Sequence, residues 1–170
     1  MNINHRQLNN LAAYLCENNY RLALAESMSA GFFSSVWSLQ CDSGDYFQGG
    51  VVCFSEAVKT GLLGVPSSLI RLFSAESIEV TESMVRGLKK QIDADLYLGI
   101  TGVAYQGVKP QVSDPGDVFL VIEFQQRIYH KILTVSTGNA GRVYIRAFNE
   151  SLDFIEEVLQ KAKEGGMKEG

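Results

Sequence analysis

The chain is poor in the residues that mark special architectures. Its 170 residues include only three cysteines, three prolines, two histidines and one tryptophan. Cys16, Cys41 and Cys53 stand far apart in apolar or loop contexts. An odd number without paired spacing argues against a disulfide framework and against a structural zinc site, so they read as packing or loop thiols. No apolar stretch approaches the roughly 18–20 residues of a membrane helix. The polar start, Met1 to Gln7, lacks the apolar heart of a secretory signal. The expectation is a cytoplasmic protein that does not engage a membrane. Basic residues are also scarce: 15 Lys and Arg against 19 Asp and Glu give a net charge of −4. No Lys/Arg run exceeds the pair Lys89-Lys90, which argues against sequence-independent nucleic-acid binding. No G-x-x-x-x-G-K-[ST] phosphate loop and no G-x-G-x-x-G dinucleotide turn occurs. His5 and His130 are isolated, so a Ser-His-Asp triad lacks a natural base. No His, Cys or carboxylate cluster has metal-ligand spacing, and no metal or organic cofactor is expected.

What is present describes a globular domain. Hydrophobic residues make up 46% and charged residues 20%, near the average for folded chains, and the length suits one domain. Leu8, Leu11, Ala12 and Leu15 follow the i, i+3, i+4, i+7 rule and predict an amphipathic helix over 5–18. A short strand is predicted over 21–25, ending at Glu26-Ser27, and a helix from Ser29 to about Ser38. After the turn-rich Cys41 to Asp45, Tyr46 to Phe54 reads as a buried strand. Short helices follow over 56–63, stopped by Gly64-Val65-Pro66, and near 67–73. Thr81 is expected to cap a longer helix carrying Met84, Val85, Leu88 and Ile92. Asp95 to Thr101 is a strand leading into a loop of about fifteen residues, Gly102 to Gly116. The runs 118–122 and 128–133 pair as a hairpin across Gln125 to Arg127. Asn139 caps a last helix with the stripe Val143, Ala147, Leu152, Ile155 and Leu159. A domain over 1–162 and a polar, frayed tail over 163–170 complete the chain. Strands interspersed with helices, then an adjacent strand pair, predict an α/β fold: a three-layer α/β/α sandwich with a mixed sheet in a single domain.

The segment Ala25-Glu26-Ser27-Met28-Ser29-Ala30-Gly31 joins a strand end to a helix start, where α/β folds present their ligands. Small residues at 29, 30 and 31 would let a ligand approach free N–H groups of the main chain. The plainer alternative is that Ser27 or Ser29 caps the helix.

Several segments in register resemble one family. Ala25 to Gly31 resembles the A-E-S-C-T-G-G signature of the CinA C-terminal domain family, the nicotinamide-nucleotide amidohydrolases. Tyr46 to Lys59 is similar to its F-x-G-G-V-V-x-Y-S-N-x-x-K segment, and Leu62-Leu63-Gly64-Val65 to the L-G-V that follows. Ser74-Ala75-Glu76-Ser77 is similar to G-A-V-S. Ala94-Asp95 with Gly99-Ile100-Thr101-Gly102 resembles A-D…G-I-[ST]-G, and Pro115 to Val118 resembles V-G-T-V. The likeness spans about 5 to 160. It implies a stand-alone form of the domain that deamidates nicotinamide mononucleotide, or a related small carboxamide, to the carboxylate and ammonia through a Ser/Lys dyad. The matching catalytic positions are Ser27 and Lys59. A serine hydroxyl needs a base, and a lysine serves once desolvation lowers its pKa. Backbone N–H groups near Ser29, Ala30 and Gly31 are the expected oxyanion hole. Phe54, Thr101, Gly102 and Arg142 are the further substrate-binding positions, with Thr101 binding substrate or ordering the lysine. A homo-oligomer is also implied. Trp37, Phe32 and Phe33, crowded on one helix, are compatible with that and with a plain core role.

The departures are specific. Met28, Ser29 and Ala30 replace Cys, Thr and the first Gly of the signature, Phe54 replaces Tyr, and Glu56 replaces Asn. The I-A-G-P-x-G-G pattern after Gly102 becomes Val103-Ala104-Tyr105-Gln106-Gly107. Ser113-Asp114 stands where K-P is usual, with Lys109-Pro110 just upstream. In Gly138 to Arg142, Ala140 takes the arginine position of G-D-R, leaving Arg142 or Arg146 to substitute for it. Loss of phosphate partners and gain of a carboxylate weaken nucleotide binding. A second function therefore stands beside the first: a catalytically silent paralogue that binds a ligand or partner in the same cleft.

Overall fold

The structure, a computed structural model, describes residues 2–105, 113–136 and 139–166. Twelve elements are seen among them: α1 (His5–Glu17), β1 (Leu22–Glu26), α2 (Phe32–Ser38), α3 (Ser43–Tyr46), β2 (Phe47–Val52), α4 (Glu56–Leu63), α5 (Ser67–Phe73), α6 (Ile78–Leu88), β3 (Leu96–Gly102), β4 (Asp117–Phe124), β5 (Arg127–Thr134) and α7 (Ala140–Gly166). The strands form one mixed sheet in the order β2-β1-β3-β4-β5. β1 runs parallel to β2 and β3, and the β3/β4 and β4/β5 pairs are antiparallel.

Strand alternation sorts side chains to two faces. Leu22, Leu24, Leu96, Leu98 and Ile100 join α1, α2 and α7 in one core. Ala23, Ala25, Tyr97 and Val121 join α4, α5 and α6 in the other. The expected α/β/α sandwich with a mixed sheet, in a single domain, is what forms. The stripe Val143, Ala147, Leu152, Ile155 and Leu159 is buried on α7, and Asn139 caps that helix by accepting from the Arg142 N–H at 3.1 Å.

Four expectations change. The second helix starts at Phe32, because Ala30 (φ 51°) and Gly31 (φ 94°) turn left-handed and cannot extend a helix back to Ser29. Strand β2 is an edge strand whose side chains alternate between half-buried and exposed, and Tyr46 belongs to α3. Ser77 caps α6 by accepting from the Val80 N–H, while Thr81 lies buried one turn later with its hydroxyl on the Ser77 carbonyl. Residues 163–166, expected to fray, continue α7. Phe33 and Trp37 are fully buried against Phe148, so the core accounts for the aromatic cluster without a partner chain. No helix among the described residues is long and apolar enough to cross a membrane.

Candidate active site

The site forms at the carboxyl ends of β1 and β3, the rim where α/β sheets hold ligands. The ladder continues briefly past β1: the Ser27 N–H donates to the Ile100 carbonyl at 3.0 Å, and the Cys53 N–H to the Glu26 carbonyl at 2.7 Å. Alternation then sends Glu26 under α2, on the side of Leu22 and Leu24. Ser27 turns towards α4.

Glu26 is fully buried and both of its oxygens act as acceptors. Oε2 accepts from Ser29 Oγ at 2.6 Å, the Gly31 N–H at 3.1 Å and the Phe33 N–H at 3.0 Å. Oε1 accepts from the Ser34 N–H at 2.7 Å and Ser34 Oγ at 2.6 Å. The carboxylate thus occupies the start of α2 that an external anion would otherwise use. This corrects the expected oxyanion hole. The Ala30 N–H is also committed, to the Ser27 carbonyl at 3.1 Å. Among the described residues, the N–H groups of Met28 and Ser29 have no partner, and they directly follow Ser27.

Lys59 sits on α4, whose cap Ser55 accepts from the Val58 N–H. Its side chain is 1% exposed, and Nζ lies 2.8 Å from Ser27 Oγ as a hydrogen-bond donor. Burial holds the Lys59 pKa below its ordinary value, against the opposing pull of Cys53, Glu76 and Glu56. Neighbouring Cys53 is buried too, and its thiol is pushed up to about 11, chiefly by desolvation. It therefore stays a protonated thiol near neutral pH and does not compete as nucleophile.

A cleft of about 240 Å³ opens over Ser27. Ser27, Met28, Gly102 to Ala104, Phe54, Tyr105, Tyr144 and Glu76 line it, and Lys59 lies outside the lining behind Ser27. Of the expected substrate-binding residues, Phe54 and Gly102 line it. Ser29, Ala30 and Gly31 shape the turn beside it, bound to Glu26 or to the main chain. Thr101 is buried with its Oγ1 2.7 Å from Thr81 Oγ1. The Thr81 proton goes to the Ser77 carbonyl at 2.6 Å, so Thr101 is the donor of the pair and braces β3 against α6. It makes no hydrogen bond to Lys59. Arg142 is exposed on the first turn of α7, outside the cleft lining, and Arg146 pairs with Glu150 at 2.6 Å. Glu56 lies in a separate groove with Arg71, and Ala140 packs against the core. Neither is part of the cleft. Lys109-Pro110 and Gln106-Gly107 lie outside the described residues. No group of three or more His, Cys, Asp or Glu among the described residues is placed to hold a metal ion.

Glu26, Glu76, Tyr105 and Tyr144 escaped the sequence reading. Glu26 alone carried a signal: an acidic residue in phase with Leu22 and Leu24 has to find donors inside the fold.

Gly102 has a backbone reason to be glycine. At φ 155°, a Cβ would overlap the Asp117 carbonyl and lie 2.6 Å from Met28 Sδ. Gly102→Ala is expected to cost about 2 kcal/mol or more, from backbone strain and displacement of Met28. Denaturant unfolding would register it, and an unchanged midpoint would contradict the tight approach of β3 to β4 at the cleft floor.

Comparison with known proteins adds relatives. The model of the CinA C-terminal domain matches residues 5–159. A CinA-like protein of Thermotoga neapolitana is 36% identical over 148 residues, covering 86% of this chain and 36% of the relative. One from Synechocystis sp. is 30% identical over 154 residues, covering 89% and 37%. The chain thus spans little more than a third of the length of these relatives. Among solved structures, the competence damage-inducible protein A of Klebsiella pneumoniae superposes with a TM-score of 0.88 at 24% identity, covering 94% of this chain and 98% of that one. A CinA superfamily protein of Escherichia coli gives 0.84 at 23%, covering 89% and 88%.

Proposed function

We propose that this chain, which belongs to the CinA C-terminal domain family, is an amidohydrolase that converts a small carboxamide of the nicotinamide mononucleotide type to its carboxylate and ammonia. The observation that carries the reading is the buried 2.8 Å contact between Ser27 Oγ and Lys59 Nζ at the cleft floor. Neutral Lys59 takes the Ser27 proton as Oγ adds to the amide carbon. The N–H groups of Met28 and Ser29 receive the developing oxyanion. Lys59 returns the proton to the departing nitrogen, which leaves as ammonia and an ester on Ser27. Water, deprotonated by the same lysine, then cleaves the ester and restores the hydroxyl. No metal or organic cofactor takes part. A cytoplasmic location, which rests on the sequence reading, and a homo-oligomer, which rests on the family likeness, belong to the same proposal.

The test is ammonia release from nicotinamide mononucleotide by the purified protein across a pH series. A protonated Lys59 cannot accept the Ser27 proton. The rate is therefore expected to rise with pH through an apparent pKa below the ordinary lysine value of about 10.4, in line with the downward shift caused by burial. A rate that falls with rising pH through the same range contradicts lysine as the base. Protein that binds the nucleotide without releasing ammonia supports the rival, a silent paralogue. That rival is favoured by one observation, the position of Arg142 outside the cleft.

A further inference from the structure

The wall of the cleft facing Ser27 has a chemistry that the dyad does not use. Among the described residues, Glu76 is the one acidic side chain that lines it. Its Oε2 accepts from Ser74 Oγ at 3.1 Å, and its carbonyl accepts from Ser113 Oγ at 3.1 Å. One neutral hydroxyl therefore holds the carboxylate and a second holds the main chain, and among the described residues the carboxylate makes no ion pair, its charge reaching Lys59 only at a distance. Its segment, 74–77, is one where the family pattern G-A-V-S carries no charge. The rings of Phe54, Tyr105 and Tyr144 line the same cleft, the first two more than half exposed at 57% and 58%.

A carboxylate among aromatic faces is a cation receptor. The ring faces attract positive charge, and the carboxylate adds a direct Coulombic term. A phosphate in the same space meets a like charge, and among the described residues no Lys or Arg lines the cleft, Arg142 being exposed on α7. Space argues in the same direction: about 240 Å³ falls below the roughly 300–1,000 Å³ of pockets for drug-sized ligands.

Resting on the amidohydrolase reading, we infer that Glu76 selects the substrate, and that the substrate is a cationic aromatic carboxamide without a phosphate, a pyridinium nucleoside amide or a smaller N-alkyl pyridinium amide. The carboxamide lies over Ser27 while the positive ring faces Glu76 and the tyrosines. Glu76 is a specificity residue: its charge opposes the downward shift of the Lys59 pKa, but it neither gives nor takes the proton.

Calorimetry on the full chain tests this with four probes, each titrated into wild type, Ser27→Ala and Glu76→Gln. 1-Methylnicotinamide, a cation methylated on the ring nitrogen, is expected to bind about tenfold tighter than neutral nicotinamide, and nicotinamide riboside about tenfold tighter than nicotinamide mononucleotide. Both contrasts should collapse in Glu76→Gln, with the mononucleotide gaining affinity. Glu76 is half-exposed and the replacement is isosteric, so the unfolding midpoint of that variant should match wild type. Equal or tighter binding of the mononucleotide, contrasts that survive Glu76→Gln, or no binding of any probe would each overturn the inference. Ammonia assays on the same samples separate the two levels. Efficient turnover of the mononucleotide with no charge preference keeps the amidohydrolase and removes the role of Glu76. A Glu76-dependent preference for cations without ammonia release from any probe does the reverse.

Discussion

Lys59→Met is expected to abolish amide hydrolysis near neutral pH and to leave a protein at least as stable as wild type. The two effects share one cause. Lys59 is enclosed at 1% exposure, and Ser27 Oγ is its hydrogen-bond partner among the described residues. Methionine fills the same space but has no lone pair able to take the Ser27 proton, so the hydroxyl stays an inactive alcohol. Loss of a general base alone removes a factor of about 10²–10⁴, and loss of a base that also activates the nucleophile exceeds that range. Ser27→Ala should be equally silent, since no ester can form. Retained hydrolysis in either variant would remove the dyad from the mechanism.

Stability moves the other way. A lysine whose pKa is lowered by folding binds fewer protons in the native state than in the unfolded chain. Below its folded pKa it carries the full cost of a desolvated ammonium. Stability is then regained as pH rises from the folded pKa towards the unfolded value of about 10.4. Lys59→Met removes that cost at neutral pH and flattens this rise. Each kcal/mol recovered raises the unfolding midpoint by roughly 2–4 °C for a chain of this size. Thermal unfolding of both proteins over a pH series measures it. A midpoint that drops on Lys59→Met would mean that the ammonium is stabilised by contacts beyond Ser27.

Glu26→Gln is expected to be among the most destabilising isosteric changes this chain can suffer. Five donors converge on the carboxylate: Ser29 Oγ, the Gly31 and Phe33 N–H groups, and the Ser34 N–H and Oγ. An amide converts one oxygen into a donor. Whichever way it turns, it faces two or three donors with hydrogens of its own, at a side chain closed to bulk solvent. Each buried donor left unpaired costs about 1–3 kcal/mol, so the total is about 3 kcal/mol or more. The midpoint should then fall by roughly 6–12 °C. Activity should fall as well, because the same contacts hold the 27–31 turn that presents Ser27. A shift of only a degree or two would show that the carboxylate is dispensable to that turn.

The sequence by itself determined most of the local structure and the two residues at the centre of the site. The periodicity of Leu8, Leu11, Ala12 and Leu15, and the stop at Gly64-Val65-Pro66, are statements about neighbouring residues. Helices α1 and α4 accordingly form close to where they were expected. Ser27 and Lys59 were legible for another reason: they stand in motifs shared with a family, and a separation of 32 positions along the chain carries no local signal that they meet. Tertiary structure decided what depends on long-range pairing. The order β2-β1-β3-β4-β5 makes β2 an edge strand, although its apolar run suggested a buried one. The left-handed Ala30 and Gly31 delay α2 and hand its first N–H groups to Glu26, which leaves the N–H groups of Met28 and Ser29 as the ones without a partner among the described residues. The end of β3 turns the Thr101 hydroxyl towards Thr81 and leaves it out of the cleft lining. The first turn of α7 leaves Arg142 in solvent while Tyr144, two residues on, reaches the cleft. Glu76 enters from a segment seventeen residues beyond Lys59 in the chain. Each of these outcomes turns on which way a side chain points once distant segments pack together, and neither periodicity nor propensity encodes that direction.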